Sequence, residues 1–168
     1  MRLTRRNFIL STTVLMSAPT AGLANTPREI TWDDLIPAGI PYGEIIGEGE
    51  LDEAQDTWRP VFDENASKLN NDLRGAFIKI PGYMIPIDQT TAGVTSFVLV
   101  PYVGACIHTP PPPPNQLIFV QSDTPWPQDN LWNPVWVTGN INHDIQTTDV
   151  AETGYALQAS KIEHFEWD

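Results

Sequence analysis

Beyond Gly75 the chain is written in short β-rich runs broken by proline and glycine, and that punctuation limits what it can become. Ala76 to Ile87 reads as a first strand, interrupted at Pro81-Gly82. Proline gives up a ladder donor there and glycine tolerates unusual dihedrals, so a bulge or sharp bend is expected. Val94 to Val100 and Gln116 to Gln121 follow as second and third strands, each with a continuous apolar centre. Val135 to Ile141 is a fourth, with Trp136 between two valines. Tyr155 to Ile162 is a fifth, alternating Tyr155, Leu157 and Ala159 with Ala156, Gln158 and Ser160. Five strands and no long helix predict an all-β fold, a small five-stranded OB-like barrel. A β-sandwich usually needs about seven strands and comes second.

Residues 25–74 read differently, as an N-terminal arm containing short helices ahead of a barrel domain over 75–168. Thr31 can cap a short helix whose first turn holds Trp32, Asp33, Asp34 and Leu35, stopped before Pro37. Asp63 to Leu73 suggests a second, with Lys68 and Arg74 near its end. Trp32, Tyr42, Trp58 and Phe62 are spaced apolar anchors, so the arm is expected to lie across the barrel. The acid-rich run from Glu44 to Asp56 lacks the Asp-x-Asp-x-Asp-Gly grammar of a calcium loop and reads as a solvated acidic stretch.

Residues 1–24 read as an export signal. Arg2, Arg5 and Arg6 form a charged start, Phe8 to Met16 an apolar centre, and Gly22-Leu23-Ala24 a small-residue cleavage site after Ala24. Thr4-Arg5-Arg6-Asn7-Phe8-Ile9-Leu10 resembles a twin-arginine signal, and a general secretory signal is the alternative. Either route leads to the periplasm. The apolar centre is too short to span a bilayer, so stable membrane insertion is not expected. The formal charge of −12, still more negative once three arginines are removed, repels nucleic-acid phosphates and anionic lipid and favours cations or basic partners.

Between the second and third strands lies the least ordinary segment, Gly104-Ala105-Cys106-Ile107-His108-Thr109 followed by Pro110, Pro111, Pro112, Pro113, Pro114, Asn115 and Gln116. The prolines force a polyproline II rod of roughly 15 Å at about 3.1 Å per residue. Such a rod offers carbonyls and ring faces to a partner. Cys106 and His108 are two apart, so in extended chain they face one side. A thiolate and an imidazole placed so can chelate zinc or copper. Alternatively Cys106 is a small core hydrophobe and His108 a turn residue. A tetrahedral site needs more ligands, and His143 beside Asp144, His164 beside Glu163, and the softer Met84 are the candidates.

Several of these stretches follow one pattern. Ile80-Pro81-Gly82-Tyr83, Phe97 to Tyr102, Gly104 to His108 with its prolines and Asn115-Gln116, Pro134 to Gly139, and Gly154 to Leu157, together with Trp32-Asp33-Asp34-Leu35, resemble the exported bacterial family called domain of unknown function 3299. The likeness covers roughly residues 30–165. It implies an exported periplasmic protein and a transport-linked or metal-linked role, with Cys106, His108, Pro110 to Pro114, Asn115 and Gln116 on the family motif. It implies no catalytic residue. The sequence lacks the lipidated Cys of the family's lipoprotein members.

Two functions are therefore expected to compete. One is a periplasmic binding protein handling zinc or copper through the Cys106/His108 loop. The other is a metal-free accessory subunit of an ABC transporter, or a partner of another periplasmic protein, docking through the proline-rich loop and the Trp126 and Trp132 insertion. An enzyme with Cys106 as nucleophile is disfavoured. An i, i+2 thiol–imidazole pair runs parallel and lacks a third orienting group, and no Gly-x-Ser-x-Gly, His-Glu-x-x-His or Cys-x-x-Cys is present.

Overall fold

The computed structural model describes residues 26–52, 57–103, 111–127 and 131–166. Its strands are β1 (Arg28–Glu29), β2 (Glu50–Asp52), β3 (Thr57–Arg59), β4 (Phe77–Thr90), β5 (Gly93–Val100), β6 (Ile118–Trp126), β7 (Val135–Thr147) and β8 (Glu152–His164). The last five pair in the order β4-β5-β6-β8-β7, and β7 returns to β4, so the sheet closes into a barrel. Only β6 and β8 run parallel within it. This is the five-stranded OB-type arrangement that the β-rich runs predict, and β1 adds one parallel strand on β4.

Closure is achieved at Pro81-Gly82. Residues Phe77 to Gly82 pair with β7, whereas Tyr83 to Thr90 pair with β5. The expected interruption is thus a corner where one strand changes neighbours, and the register irregularity falls later, between Pro86 and Gln89. A Cβ on Gly82 would meet the Val100 carbonyl oxygen at 2.8 Å and the Trp32 ring at 2.9 Å, so only glycine lets these three segments converge.

The interior is filled by the inward residues of each strand, among them Ile80, Phe97, Leu99, Ile118, Val120, Val137, Ile141 and Leu157. Leu35 and Leu73 of the arm join the same cluster with no exposed surface. Burial of such side chains is worth about 1.5–3 kcal/mol each. Val98 and Val100, which point the other way on β5, are also buried, against Leu117, Tyr83, Ile85 and Ile87. β5 is therefore covered on both faces, which is why Phe97 to Val100 read as a continuous apolar run.

The arm is tighter and less helical than its sequence suggests. Asp33–Leu35, Glu64–Ser67 and Asn71–Leu73 are single 3-10 turns. Asp63 and Asn70 each accept a backbone N–H of the turn that follows, so the expected helix from 63 to 73 splits in two. Part of the acid-rich run folds as an antiparallel hairpin of β2 on β3, extended by an Ile45–Phe62 bridge. Among the described residues no helix is long and apolar enough to cross a membrane.

Gly82→Ala is expected to lower stability by about 1–3 kcal/mol, because the added methyl meets backbone on one side and the Trp32 ring on the other. Denaturant unfolding of the variant checks this. A midpoint equal to wild type would show that the corner has room to relax.

Candidate functional site

The connection that carries Cys106 and His108 leaves β5 at Val100 and re-enters at Ile118, which lies beside Leu99 on one side and Tyr155 on the other. Tyr155 in turn pairs with His143. The loop, Tyr155 and His143 therefore share one end of the barrel. Gly104 to Pro110, with Cys106 and His108, lie outside the described residues.

Polar groups seal this end against the arm. The Tyr155 hydroxyl donates to the Leu35 carbonyl at 2.6 Å and accepts the Asn70 N–H at 2.7 Å. The Asn70 carboxamide donates to the Asp34 carbonyl at 2.8 Å. Gln116 donates to the Trp32 carbonyl at 3.0 Å, and the Trp32 indole donates to the Pro81 carbonyl at 2.8 Å. Asn115 donates to the carbonyls of Asn65 and Lys68, at 2.9 and 3.1 Å. Those two carbonyls fix the orientation of the Asn115 amide, since the flipped form would set oxygen against oxygen. Its Oδ1 is buried with no hydrogen-bond donor among the described residues.

Electrostatics follow the same contacts. Burial pushes the Tyr155 phenol up to about 12, with the Asn70 N–H pulling the other way. The Thr31 backbone N–H, then its hydroxyl, hold the Asp34 carboxyl below its usual value, and Arg28 adds to this at 3.9 Å. Thr31 and Asp34 thereby brace the turn that delivers the Leu35 carbonyl to Tyr155.

The expected docking residues are redistributed. Pro112 and Pro113 are buried, Pro111 and Pro114 half-buried, and Pro114–Gln116 form a 3-10 turn. Asn115 and Gln116 are at most 2 % exposed. The Pro113 and Pro114 carbonyls accept the N–H groups of Gln116 and Leu117, so this part of the run is packed into the fold. Pro110 falls outside the described residues. Trp126 is not in an insertion: it ends β6, is buried in the core cluster, and packs on His164 with ring centres 4.8 Å apart. Trp132 alone of that pair is exposed, at 76 %.

The candidate histidines separate. His143 pairs with Tyr155 and His164 with Val135, at opposite ends of the β7–β8 ladder. Eight strand residues divide them, roughly 25 Å at about 3.3 Å per residue. They cannot complete one site. Glu163, the neighbour of His164, is paired with Lys161 at 2.7 Å. Met84 is buried in the core. Among the described residues no group of three potential metal ligands converges. His143 Nε2 lies 2.9 Å from the Asn70 carbonyl. A carbonyl only accepts, so Nε2 is the ring nitrogen that donates here.

Asn65, Asn70 and Tyr155 were not singled out by the sequence as site residues. Asn70 resembles any turn residue, and Tyr155 any strand aromatic. Their partnership spans 85 residues of chain, which no local pattern records.

A closed OB-type barrel, sealed at one end by its own N-terminal arm and bearing a long loop at that end, defines the class. The chain belongs to the family described as protein of unknown function DUF3299, whose model matches residues 32–164. A crystal structure of a DUF3299 family protein from Pseudomonas aeruginosa PAO1 is 34 % identical, covering 85 % of this chain and 99 % of that one, with a TM-score of 0.69. The search of curated proteins found no match.

Tyr155→Phe is expected to cost about 1–3 kcal/mol, since it strips a donor from Leu35 and leaves the Asn70 N–H unpaired. A pH signature accompanies it. A phenol raised on folding favours the neutral native form, so its contribution is complete below pH 10 and is lost as pH rises towards 12. Tyr42, raised likewise by burial and then by Tyr102, titrates in the same range. The measured quantity is therefore the difference between wild type and Tyr155→Phe in alkaline unfolding, which should vanish as pH approaches 12.

Proposed function

We propose that the protein is an exported periplasmic binding module that takes up a transition metal ion, zinc or copper, through Cys106 and His108. The observation that carries this reading is the unpartnered Oδ1 of Asn115, buried at the root of the Cys-x-His loop. A buried carboxamide oxygen without a donor costs about 1–3 kcal/mol, and a bound cation removes that cost. His143 supports the reading as well. Its Nε2–H is held by a backbone carbonyl, the arrangement that leaves the other ring nitrogen ready to ligate.

The donor set fits the ion. A thiolate and an imidazole from the loop suit zinc and copper, and Asn115 and His143 lie at the same end of the barrel as the loop. The ion would supply a cross-link between loop and barrel end. The chain's own residues prepare for it: the Pro114–Gln116 turn and the arm hold one root of the loop in place. The net charge of −12 raises the local concentration of cations.

A second reading rests on Trp132, which stands 76 % exposed on the β6–β7 connection. Isolated on a polar surface, a tryptophan so placed suits a protein partner such as a transporter subunit. Trp132→Ala should then lose that partner in a pull-down from periplasm and membrane while leaving metal binding intact.

Elemental analysis and competitive zinc and Cu(I) titration of residues 25–168 test the metal reading. About one ion per chain is expected, lost in Cys106→Ser and in His108→Ala and weakened about tenfold or more in Asn115→Ala or His143→Ala. Stoichiometric binding that survives Cys106→Ser overturns the site, and no binding at micromolar ion overturns the function.

A further inference from the structure

The outer face of β6, β8 and β7 carries a row of side-chain amides beside His143 that the metal reading leaves unused. Inward residues Ile118, Val120, Leu157 and Ile141 fill the core, so their alternates point outward. Gln121 sits beside Gln158 on β8, and Gln158 beside Asn140 on β7. One strand step away, Phe119 lies beside Ala156, and Ala156 beside Asn142. Two adjacent rows thus cross three strands at about 4.8 Å spacing, one made of carboxamides and the other running from an aromatic ring over a small floor to an amide. These residues line a groove of about 360 Å³.

We propose that this groove binds a neutral oligosaccharide. Gln121, Gln158 and Asn140 are exposed, and their carboxamides have no hydrogen-bond partner among the described residues. Each presents a donor and an acceptor side by side, the pairing that vicinal hydroxyl groups require. Phe119 is half-buried and offers a fixed apolar surface to a sugar ring. Ala156 keeps the floor low between them. A volume near 360 Å³ lies within the range of small-ligand clefts, about 300–1,000 Å³.

Charge and topology exclude the competing occupants. No Lys or Arg lines the groove, its one carboxylate is Asp144, and the whole chain is acidic, so an anionic glycan or a nucleic acid is repelled. An extended peptide binds a sheet by adding a strand to an open edge. Here Gln121, Gln158 and Asn140 each pair with a strand on both sides, so the backbone of the carboxamide row is consumed by the barrel. Recognition must then come from side chains alone, which favours a ligand dense in hydroxyls.

The test is an NMR titration of the protein with tetramers of N-acetylglucosamine and of glucose, and with an uncharged Gly/Ser/Asn peptide. At least one glycan is expected to bind at millimolar affinity or tighter, shifting backbone amides of β6, β8 and β7. Gln158→Ala and Asn140→Ala should each weaken it by about threefold to tenfold, the loss of one or two hydrogen bonds. Gln89→Ala, an exposed glutamine on β4, should leave it unchanged. Both groove substitutions are at exposed positions, and matching spectra elsewhere will show that the variants fold. Binding of neither glycan at millimolar concentration overturns the proposal. So does glycan binding unaffected by Gln158→Ala and Asn140→Ala, or a groove that takes only the peptide.

Discussion

The Tyr155 hydroxyl sits where the barrel and its arm meet, giving its proton to the Leu35 carbonyl and taking one from the Asn70 amide. A five-stranded barrel has an end that must be covered, and bare backbone cannot cover it without losing hydrogen bonds to water. The arm solves this by bringing apolar Leu35 and Leu73 into the core while Tyr155, Asn70, Asn115 and Gln116 satisfy the carbonyls that arrive with them. Each polar contact alone is modest, worth about 1 kcal/mol, but an unmade one in this setting costs more. The clasp therefore selects one placement of the arm more than it adds net stability.

That placement has consequences at the other points of closure. Trp32 reaches the β4 corner because the turn beginning at Asp33 is held at Leu35, and its indole caps the Pro81 carbonyl there. Pro114–Gln116 are fixed from below by Asn65 and Lys68 and from the side by Trp32. The loop that carries Cys106 and His108 thus springs on one side from β5, buried on both faces, and on the other from a turn locked by side-chain amides.

How much of this was legible follows from which forces are local. The five barrel strands announce themselves because β-branched and aromatic runs are bounded by breakers, and β5 reads as continuous because both of its faces are covered. Pro81-Gly82 declares a bend, yet the exchange of β7 for β5 as neighbour is a tertiary event with no residue of its own. The β2–β3 hairpin is hidden by its acidic composition, which reads as solvated chain. Asp63 and Asn70 could have revealed two caps where one helix was expected, since both are cap-forming types. The prolines misled because polyproline stiffness says nothing about which side is buried. His143 and His164 look alike in sequence, and only the β7–β8 register puts them at opposite ends.

Closure also decides where this protein can touch anything else. Its interior is occupied by side chains of every strand, so no ligand enters it. Its five main strands pair with one another, β7 returning to β4, so the closed part of the barrel offers little edge for an added strand. One end is sealed by the arm, and at the other Trp126 is buried within the core cluster. Among the surfaces left are the loop above the sealed end and the outer face of the sheet. The first has at its root a buried oxygen with no partner among the described residues, and the second carries a row of exposed carboxamides. Such surfaces suit different chemistries, because a cation needs lone pairs converging on one point whereas a hydroxyl-rich chain needs donor and acceptor pairs spread over several strands. On both proposals, closure of the barrel leaves recognition to side chains whose charge and spacing set the ligand.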